Sequence, residues 1–198
     1  MDVSRNFSTL VVAIAAAVLS ISAVAPAADT YKVDNIHSTV LFRVKHMEAS
    51  YAYGRFNEVA GTFSIDEQDP AKSTLDFQVT ADSLDTNSAK RDQHLKSPDF
   101  FNAKEFPKIT FKSKDVKKVG KDAYEVLGDL SLHGVTKPVT VKVAAIGTAK
   151  RPLIMGGGYA SGFEGQFVVN RSDFGMKGMV GPIGEEVRVT VSVEGTRP

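Results

Sequence analysis

The sequence predicts an all-β protein, and two observations carry that prediction. Apolar residues alternate with polar ones over many short segments, which places each apolar set on one face of a sheet. Turn residues separate these segments at short intervals, as is typical of a meandering antiparallel sheet. We expect about eight such strands, in a sheet that either closes into a barrel or folds as a sandwich.

Each predicted strand has an apolar face formed by residues two positions apart. These faces are Val40, Phe42 and Val44; Gly61, Phe63 and Ile65; Leu75, Phe77, Val79 and Ala81; Ile109 and Phe111; Tyr124, Val126, Gly128, Leu130 and Leu132; Val139, Val141, Val143 and Ala145; Phe163, Gly165, Phe167 and Val169; and Val187, Val189, Val191 and Val193. Residues 118–122 are expected to form a hairpin tip. His133 and Gly134 are expected to form a turn in which the histidine faces solvent.

One stretch, residues 82–107, shows no sustained alternation. Asn87 or Ser88 can cap a short helix over residues 89–95, and Pro98 follows its expected end. A long excursion between two strands usually covers the mouth of a barrel or carries function.

The first residues have the pattern of a secretory signal peptide. A lone Arg5 precedes an apolar run over residues 9–19, and small residues follow, ending in the cleavage pattern Ala25, Pro26 and Ala27. An N-terminal membrane anchor is the alternative interpretation. The pattern predicts a signal peptide over residues 1–27 and a single exported domain over residues 28–198, in a compartment such as the bacterial periplasm.

Composition and motifs exclude several functional classes. The 198-residue chain has a net charge of +1 and no cysteine, so it lacks a global bias toward nucleic acid and cannot form disulfides or thiolate sites. No nucleophile elbow or phosphate loop is present, and the four histidines lack the spacing of a zinc-binding helix. We therefore predict no catalytic residue, no metal, no cofactor and no nucleic-acid partner.

The phenylalanines on the strand faces indicate either a packed core or a ligand chamber. A barrel of this size either fills its interior with side chains or holds one small ligand. A hydrocarbon chain would gain ~0.8 kcal/mol per methylene buried there. Small inward residues are expected to leave room for it; they are Gly61, Ala81, Gly128, Ala145 and Gly165.

Four blocks of the sequence resemble the YceI family of exported proteins. They are Y-K-V-D at 31–34 followed by His37, Ser38, Val40, Phe42, Val44 and His46; S-L-D-T-N at 83–87 followed by Arg91, Asp92, His94, Leu95, Ser97, Asp99 and Phe100; G-D-L-S-L-H-G-V-T-K-P-V at 128–139; and Gly162, Phe163 and Glu164 with Asp173, Phe174 and Gly175 and the terminal Val193, Glu194 and Gly195. The blocks occur in order and span nearly the whole chain after the leader.

The resemblance implies an eight-stranded, antiparallel, lipocalin-like barrel with a short helical excursion. It implies a periplasmic, non-catalytic binding or transport protein that holds a polyisoprenoid or isoprenoid-quinone type lipid in its lumen. It also implies that no metal is required and that a homodimer can form. No apolar run after the predicted signal peptide approaches membrane-spanning length, so we expect that the chain is not an integral membrane protein after signal removal.

The resemblance places the polar head of such a lipid near His37, Arg91 and His94. Arg91 is the best candidate for a charge-assisted contact to that head, although a structural pair with Asp92 is an equal alternative. The complete predicted ligand-binding set is His37, Phe42, Val44, Phe63, Phe77, Arg91, His94, Phe111, Phe163 and Phe167. The competing hypothesis is a histidine-dependent enzyme or a metal-dependent isomerase at the barrel mouth.

Overall fold

The computed structural model describes residues 28–198, and the predicted signal peptide over residues 1–27 lies outside them. Within the described residues there are eleven strands and one α-helix. They are β1 (Asp29–Val33), β2 (Thr39–His46), β3 (Ser50–Phe56), β4 (Val59–Ile65), β5 (Thr74–Thr80), β6 (Leu84–Asp85), α1 (Ala89–Leu95), β7 (Lys108–Lys118), β8 (Ala123–Leu132), β9 (Val135–Lys150), β10 (Tyr159–Asn170) and β11 (Ile183–Arg197).

The eleven strands form a closed antiparallel barrel with eight wall segments. β1 and β2 pair with the same edge of β11 and act as one interrupted segment. β3 with β4, and β5 with β6, make two more interrupted segments, while β7 to β11 are continuous. The pairing of β1 with β11 closes the ring. This confirms the predicted eight-stranded barrel.

The interruptions lie side by side, and polar side chains replace the backbone hydrogen bonds that are lost there. Ser38 Oγ donates to the carbonyl of Glu194 at 3.2 Å and accepts from the N–H of Glu194 at 3.1 Å. Asn35 Oδ1 accepts from the N–H of Val59 at 2.6 Å. Ser83 Oγ accepts from two N–H groups at the junction of β3 and β4, each at 3.1 Å. Because buried backbone groups need partners, these side chains let three wall segments bend without orphaned donors.

The excursion between β6 and β7 covers one end of the barrel, called here the helix end. α1 begins after Ser88, whose side chain accepts from the N–H of Arg91 at 3.5 Å, and ends at Leu95, as predicted. The ring of Phe101 packs edge-on against Phe56, with 5.4 Å between ring centres. Across the described residues, no helix combines the length and apolar character that crossing a bilayer requires.

The turn between β8 and β9 has two residues with positive φ, His133 at 52° and Gly134 at 74°. Two such residues give the primed turn whose twist matches that of a hairpin. The expectation that His133 faces solvent is wrong. Its ring meets Phe106 at 4.9 Å between ring centres, and its Nδ1 donates to the carbonyl of Phe174 at 3.0 Å.

Three glycines on the barrel wall seat phenylalanine rings. Gly54 lies directly opposite Phe42, and a Cβ on this glycine would come within 2.3 Å of the ring. Gly128 makes the same close approach to Phe111, at 2.4 Å. Gly195 seats the ring of Phe63, which a Cβ would approach to 2.5 Å. The rings of Phe42, Phe111 and Phe63 therefore lie close against the backbone of the wall at these three positions.

This corrects part of the role expected for the small inward residues. Gly128 makes room for Phe111, and Gly61 makes room first for the Asp76 carbonyl, which a Cβ would meet at 2.1 Å, so neither opens space for a ligand directly. Gly165 does face the central space of the barrel. Small residues thus enlarge the lumen mainly by letting aromatic rings occupy the space next to the strand backbone that a Cβ would otherwise fill.

Replacing Gly54 by alanine should displace the ring of Phe42 toward the barrel axis, because the new methyl group occupies the ring's position. We expect the free energy of unfolding to fall by about 1–3 kcal/mol, as in other overpacked cores. Gly120→Ala, at an exposed hairpin tip, is the matched control and should change it by less than about 0.5 kcal/mol. Denaturant titration measures both. Equal stability of the two variants would contradict this role of Gly54.

Candidate functional site

The barrel interior contains a central cavity of about 180 Å³. Its wall is almost entirely apolar, and Thr110 and Arg171 supply its polar side chains. Six of the ten residues predicted to bind ligand line it; they are Phe42, Val44, Phe77, Phe111, Phe163 and Phe167. The alternation of apolar residues along the strands therefore located much of the wall of this cavity, but not the part that the helical excursion and the loop after β10 contribute.

An aromatic layer limits the central cavity on the side away from the helix end. It consists of Phe63, Phe77 and Phe163, with ring centres 5.2 to 6.3 Å apart. Phe63 is 1% exposed and lines the space on the other side of the layer, not the central cavity, with its ring stacked on that of Tyr31 at 5.2 Å between ring centres. Phe163 contributes to the central cavity and to the space beyond it. The layer therefore separates two chambers of the same barrel.

The second chamber, of about 640 Å³, opens at the other end of the barrel, called here the ribbon end. Its wall mixes apolar and polar groups and includes Lys118 and Lys121. Arg197 lies over the ring of Tyr159 at 4.5 Å and pairs with Asp29 at 2.6 Å. Since this chamber offers charges and hydroxyls, it can hold a polar group that the central cavity cannot.

Arg171 is the one charged side chain in the wall of the central cavity, within the described residues, and it is 3% exposed. Its guanidinium donates to four backbone carbonyls and faces Glu185 at 3.5 Å. The carbonyls are those of Gly184, Met176, Gly178 and Ile183, at 2.6 to 3.1 Å. Four of its five N–H donors are thereby bound to backbone carbonyls, and Nη2 also lies beside the Glu185 carboxylate. Arg171 therefore fixes the loop between β10 and β11.

The sequence contained a signal for Arg171 that the prediction of site residues missed. The inward face of β10 carries Phe163, Gly165, Phe167 and Val169, and the same two-residue step continues to position 171. An arginine on an inward face is buried only if its donors are satisfied. Continuing the two-residue spacing of β10 beyond Val169, its last inward apolar residue, identifies Arg171 as an inward-facing side chain.

Arg91 and His94 lie outside both chambers, on α1. Arg91 is exposed and donates from Nε to Thr86 Oγ1 at 2.7 Å and from Nη2 to the Thr86 carbonyl. His94 is exposed and faces Asp99 at 3.2 Å. Arg91 thus holds the start of the helical excursion to β6, and contacts of either residue with a ligand stay a prediction.

His37 lies on the outer surface where β1 meets β2, apart from both chambers. Its Nδ1 is 2.9 Å from Asp34 Oδ2 and 3.9 Å from Glu194 Oε1. The hydrogen bond to Asp34 raises the pKa of His37, and the same bond lowers the pKa of Asp34. The three side chains each offer a ligand atom within 4.8 Å of the others. His37 and His94 share no partner, so the structure does not assemble them into one site.

Comparisons with known proteins agree with this architecture. The family model of the YceI-like domain matches residues 31–195. A UPF0312 protein of Pseudomonas aeruginosa is 45% identical over 175 residues, which cover 87% of this chain and 89% of that protein. Protein YceI of Escherichia coli O157:H7 is 41% identical over 181 residues, covering 90% of this chain and 93% of that protein.

A solved structure of a polyisoprenoid binding domain from Saccharophagus degradans, implicated in plant cell wall breakdown, has the same fold. It superposes with a TM-score of 0.63 over 85% of this chain and 98% of that chain, at 16% sequence identity.

Replacing Arg171 by methionine should destabilise the loop between β10 and β11, because the carbonyls that it binds lose their donor. We expect the free energy of unfolding to fall by about 3 kcal/mol. Arg188→Met removes an exposed arginine 3.7 Å from Glu186 and is the control, with an expected change below about 1 kcal/mol. Hydrogen exchange of residues 176–184 checks the location. Unchanged protection there would contradict the assigned role.

The His37 ring should titrate above its ordinary pKa near 6.5, because Asp34 stabilises the charged form. The stability that the pair of His37 and Asp34 contributes is therefore fully present at a pH below the ordinary pKa of histidine. It is lost as the pH rises through the raised pKa of His37. On the acid side it is lost as pH falls through the lowered pKa of Asp34. NMR titration of the ring measures the shift, and Asp34→Asn should return the pKa toward its ordinary value. The same pKa in both proteins would contradict the pairing.

Proposed function

Since the chain belongs to the family of YceI-like domains, we propose that it is a non-catalytic binding protein that holds the tail of a polyisoprenoid lipid in its barrel. The central cavity is the observation that carries this proposal. Its wall is lined by inward side chains of the strands, and it lies on the barrel axis.

The chemistry of the wall limits what can enter. Thr110 is a neutral side chain, and four of the five donors of Arg171 are already bound to carbonyls, with Glu185 beside the guanidinium. A charged or strongly polar ligand group would lose its hydration there without gaining partners, which costs several kcal/mol. A hydrocarbon chain gains ~0.8 kcal/mol for each methylene that leaves water. The central cavity therefore selects the apolar part of an amphiphile.

The size of the cavity limits how much of a tail it holds at once. An apolar cavity of about 150 Å³ takes a ligand the size of benzene, and the central cavity is only slightly larger, at about 180 Å³. A long polyprenyl chain must therefore continue past the aromatic layer of Phe63, Phe77 and Phe163. Beyond that layer lies the ribbon-end chamber of about 640 Å³, where the polar head finds Lys118, Lys121 and tyrosine hydroxyl groups.

Two comparisons support an isoprenoid as the ligand class. The family relationship spans residues 31–195, which include every strand except the first two residues of β1 and the last two of β11. The Saccharophagus domain of the same fold carries the description polyisoprenoid binding. An isoprenoid quinone has the same kind of tail and is the second ligand that we include. We place the protein in the periplasm, with residues 1–27 as its cleaved signal peptide and residues 28–198 as its single domain.

The test is native mass spectrometry of the protein purified from the periplasm of its expression host, followed by organic extraction. We expect an additional mass that extracts as a lipid with isoprene spacing, and added polyprenol should raise the unfolding temperature by mass action. A protein that is free of ligand and does not take up added polyprenol would contradict the proposal.

A pair of valine variants locates the ligand in the central cavity. Val191 lines the cavity and is the cross-strand neighbour of Gly165 on β10. Val191→Phe therefore fills part of the cavity without making it polar. Val168→Phe places the same ring on the exposed outer face of β10 and is the matched control. If the new ring displaces two methylenes of the tail, affinity falls about tenfold. Equal lipid occupancy in the two variants, with equal unfolding temperatures, would place the ligand elsewhere.

A further inference from the structure

The hairpin that joins β9 to β10 extends beyond its neighbour on one side of the barrel. The pairing of β8 with β9 ends at Ala123 and Ala144, whereas β9 continues to Lys150 in register with β10. A register irregularity at Gly162 and Phe163 bends this part of the ribbon. The connecting residues 151–158 therefore stand at the ribbon end without cover from β8.

The tip of this hairpin exposes consecutive apolar side chains. Leu153 is 92% exposed, Ile154 is 95% exposed and Met155 is 54% exposed. Their backbone is fixed in a short turn, in which the N–H of Met155 donates to the carbonyl of Pro152 and the N–H of Gly156 to that of Leu153, each at 2.9 Å. A fixed turn that presents large aliphatic side chains to water is distinct from scattered surface apolar residues and marks an interaction surface.

Basic residues flank the apolar tip. Lys150 and Arg151 precede it, with Pro152 between Arg151 and Leu153. Arg151 Nη1 donates to the carbonyl of Gly157 at 3.3 Å, which holds the guanidinium at the base of the tip. Within residues 28–198, neither Lys150 nor Arg151 belongs to an ion pair. Their charges are therefore available to an external anion.

We infer that the apolar tip, Leu153, Ile154 and Met155, together with Lys150 and Arg151, docks the ribbon end of the barrel onto an anionic lipid bilayer. Aliphatic side chains beside basic ones suit the boundary between acyl chains and anionic headgroups. A stable protein interface buries at least about 1,000 Å² with a complementary shape, which so small a tip does not provide. A bilayer needs no complementary shape. Docking in this way brings the chamber at the ribbon end to the bilayer surface, but it does not depend on the ligand proposed above.

A single tryptophan reports docking directly, because the chain contains none. In the protein beginning at residue 28, which includes the whole barrel, Leu153→Trp places the probe on the tip. Val180→Trp places it at the helix end, where Val180 is 67% exposed, and is the matched control. Vesicles of phosphatidylethanolamine with phosphatidylglycerol should shift the emission of Leu153→Trp to the blue, and brominated lipids should quench it. The Val180→Trp emission should stay unchanged.

Two further comparisons separate the contributions of the apolar and basic groups. Replacing Leu153 and Ile154 together by serine should weaken cosedimentation with these vesicles about tenfold or more. Lys150→Gln should weaken it less, and vesicles of phosphatidylcholine alone should bind less protein. The serine variant should still carry its lipid in native mass spectrometry, which distinguishes failure of docking from failure of the proposed function.

Two results would overturn the proposal. The first is an emission of Leu153→Trp that does not change with vesicles, or that changes no more than that of Val180→Trp. The second is a blue shift that grows with protein concentration in the absence of vesicles, because this would make a second copy of the chain the partner of the tip.

Discussion

Closure of the sheet, where β11 pairs with the wall segment of β1 and β2, is the constraint on which the rest of the structure depends. Lys32 and Val33 of β1 pair with Thr196 and Gly195, β2 pairs with the preceding part of β11, and this pairing converts a meander into a ring. A ring of eight wall segments has an interior wide enough for one layer of inward side chains or for one small ligand. Gly195, at the closure, cannot carry a side chain because the ring of Phe63 occupies that position. The same contact therefore closes the wall and seats a member of the aromatic layer.

The closed wall explains how an aromatic interior can leave a cavity. Inward phenylalanines on every side of a small barrel would meet at its axis if they all projected toward it. Gly54 and Gly128 instead receive the rings of Phe42 and Phe111 against the strands. The aromatic layer of Phe63, Phe77 and Phe163 is where rings pack against one another across the lumen. The lumen is thus divided at one level, and the central cavity lies between this level and the helix end.

Much of this arrangement could be predicted from the sequence, because the two-residue period of a strand fixes which side chains face inward. That period located the cavity wall, and the cap at Ser88 located α1. Features that depend on contacts between distant segments could not be predicted in this way. The interruption of three wall segments depends on hydrogen bonds that Asn35 and Ser83 accept from neighbouring strands. The placement of phenylalanine rings over glycines depends on the pairing register of adjacent strands. Arg171 lies on the period of β10, but one step past its last apolar residue, where apolar alternation alone no longer marks an inward position.

The two ends of the barrel differ in the kind of interaction that they can make. At the helix end, Phe101 covers the lumen and Arg171 ties down the neighbouring loop, so this end is held by contacts within the chain. At the ribbon end, the chamber is larger and more polar, and Leu153 and Ile154 contact little of the chain. A ligand that enters at the helix end would have to break buried hydrogen bonds, each of which contributes about 1 kcal/mol or more to stability. At the ribbon end, the boundary of the central cavity is the aromatic layer of Phe63, Phe77 and Phe163, whose rings contact one another without hydrogen bonds. For the lipid ligand that we propose, the smaller number of hydrogen bonds to break favours exchange at the ribbon end, which carries the apolar tip.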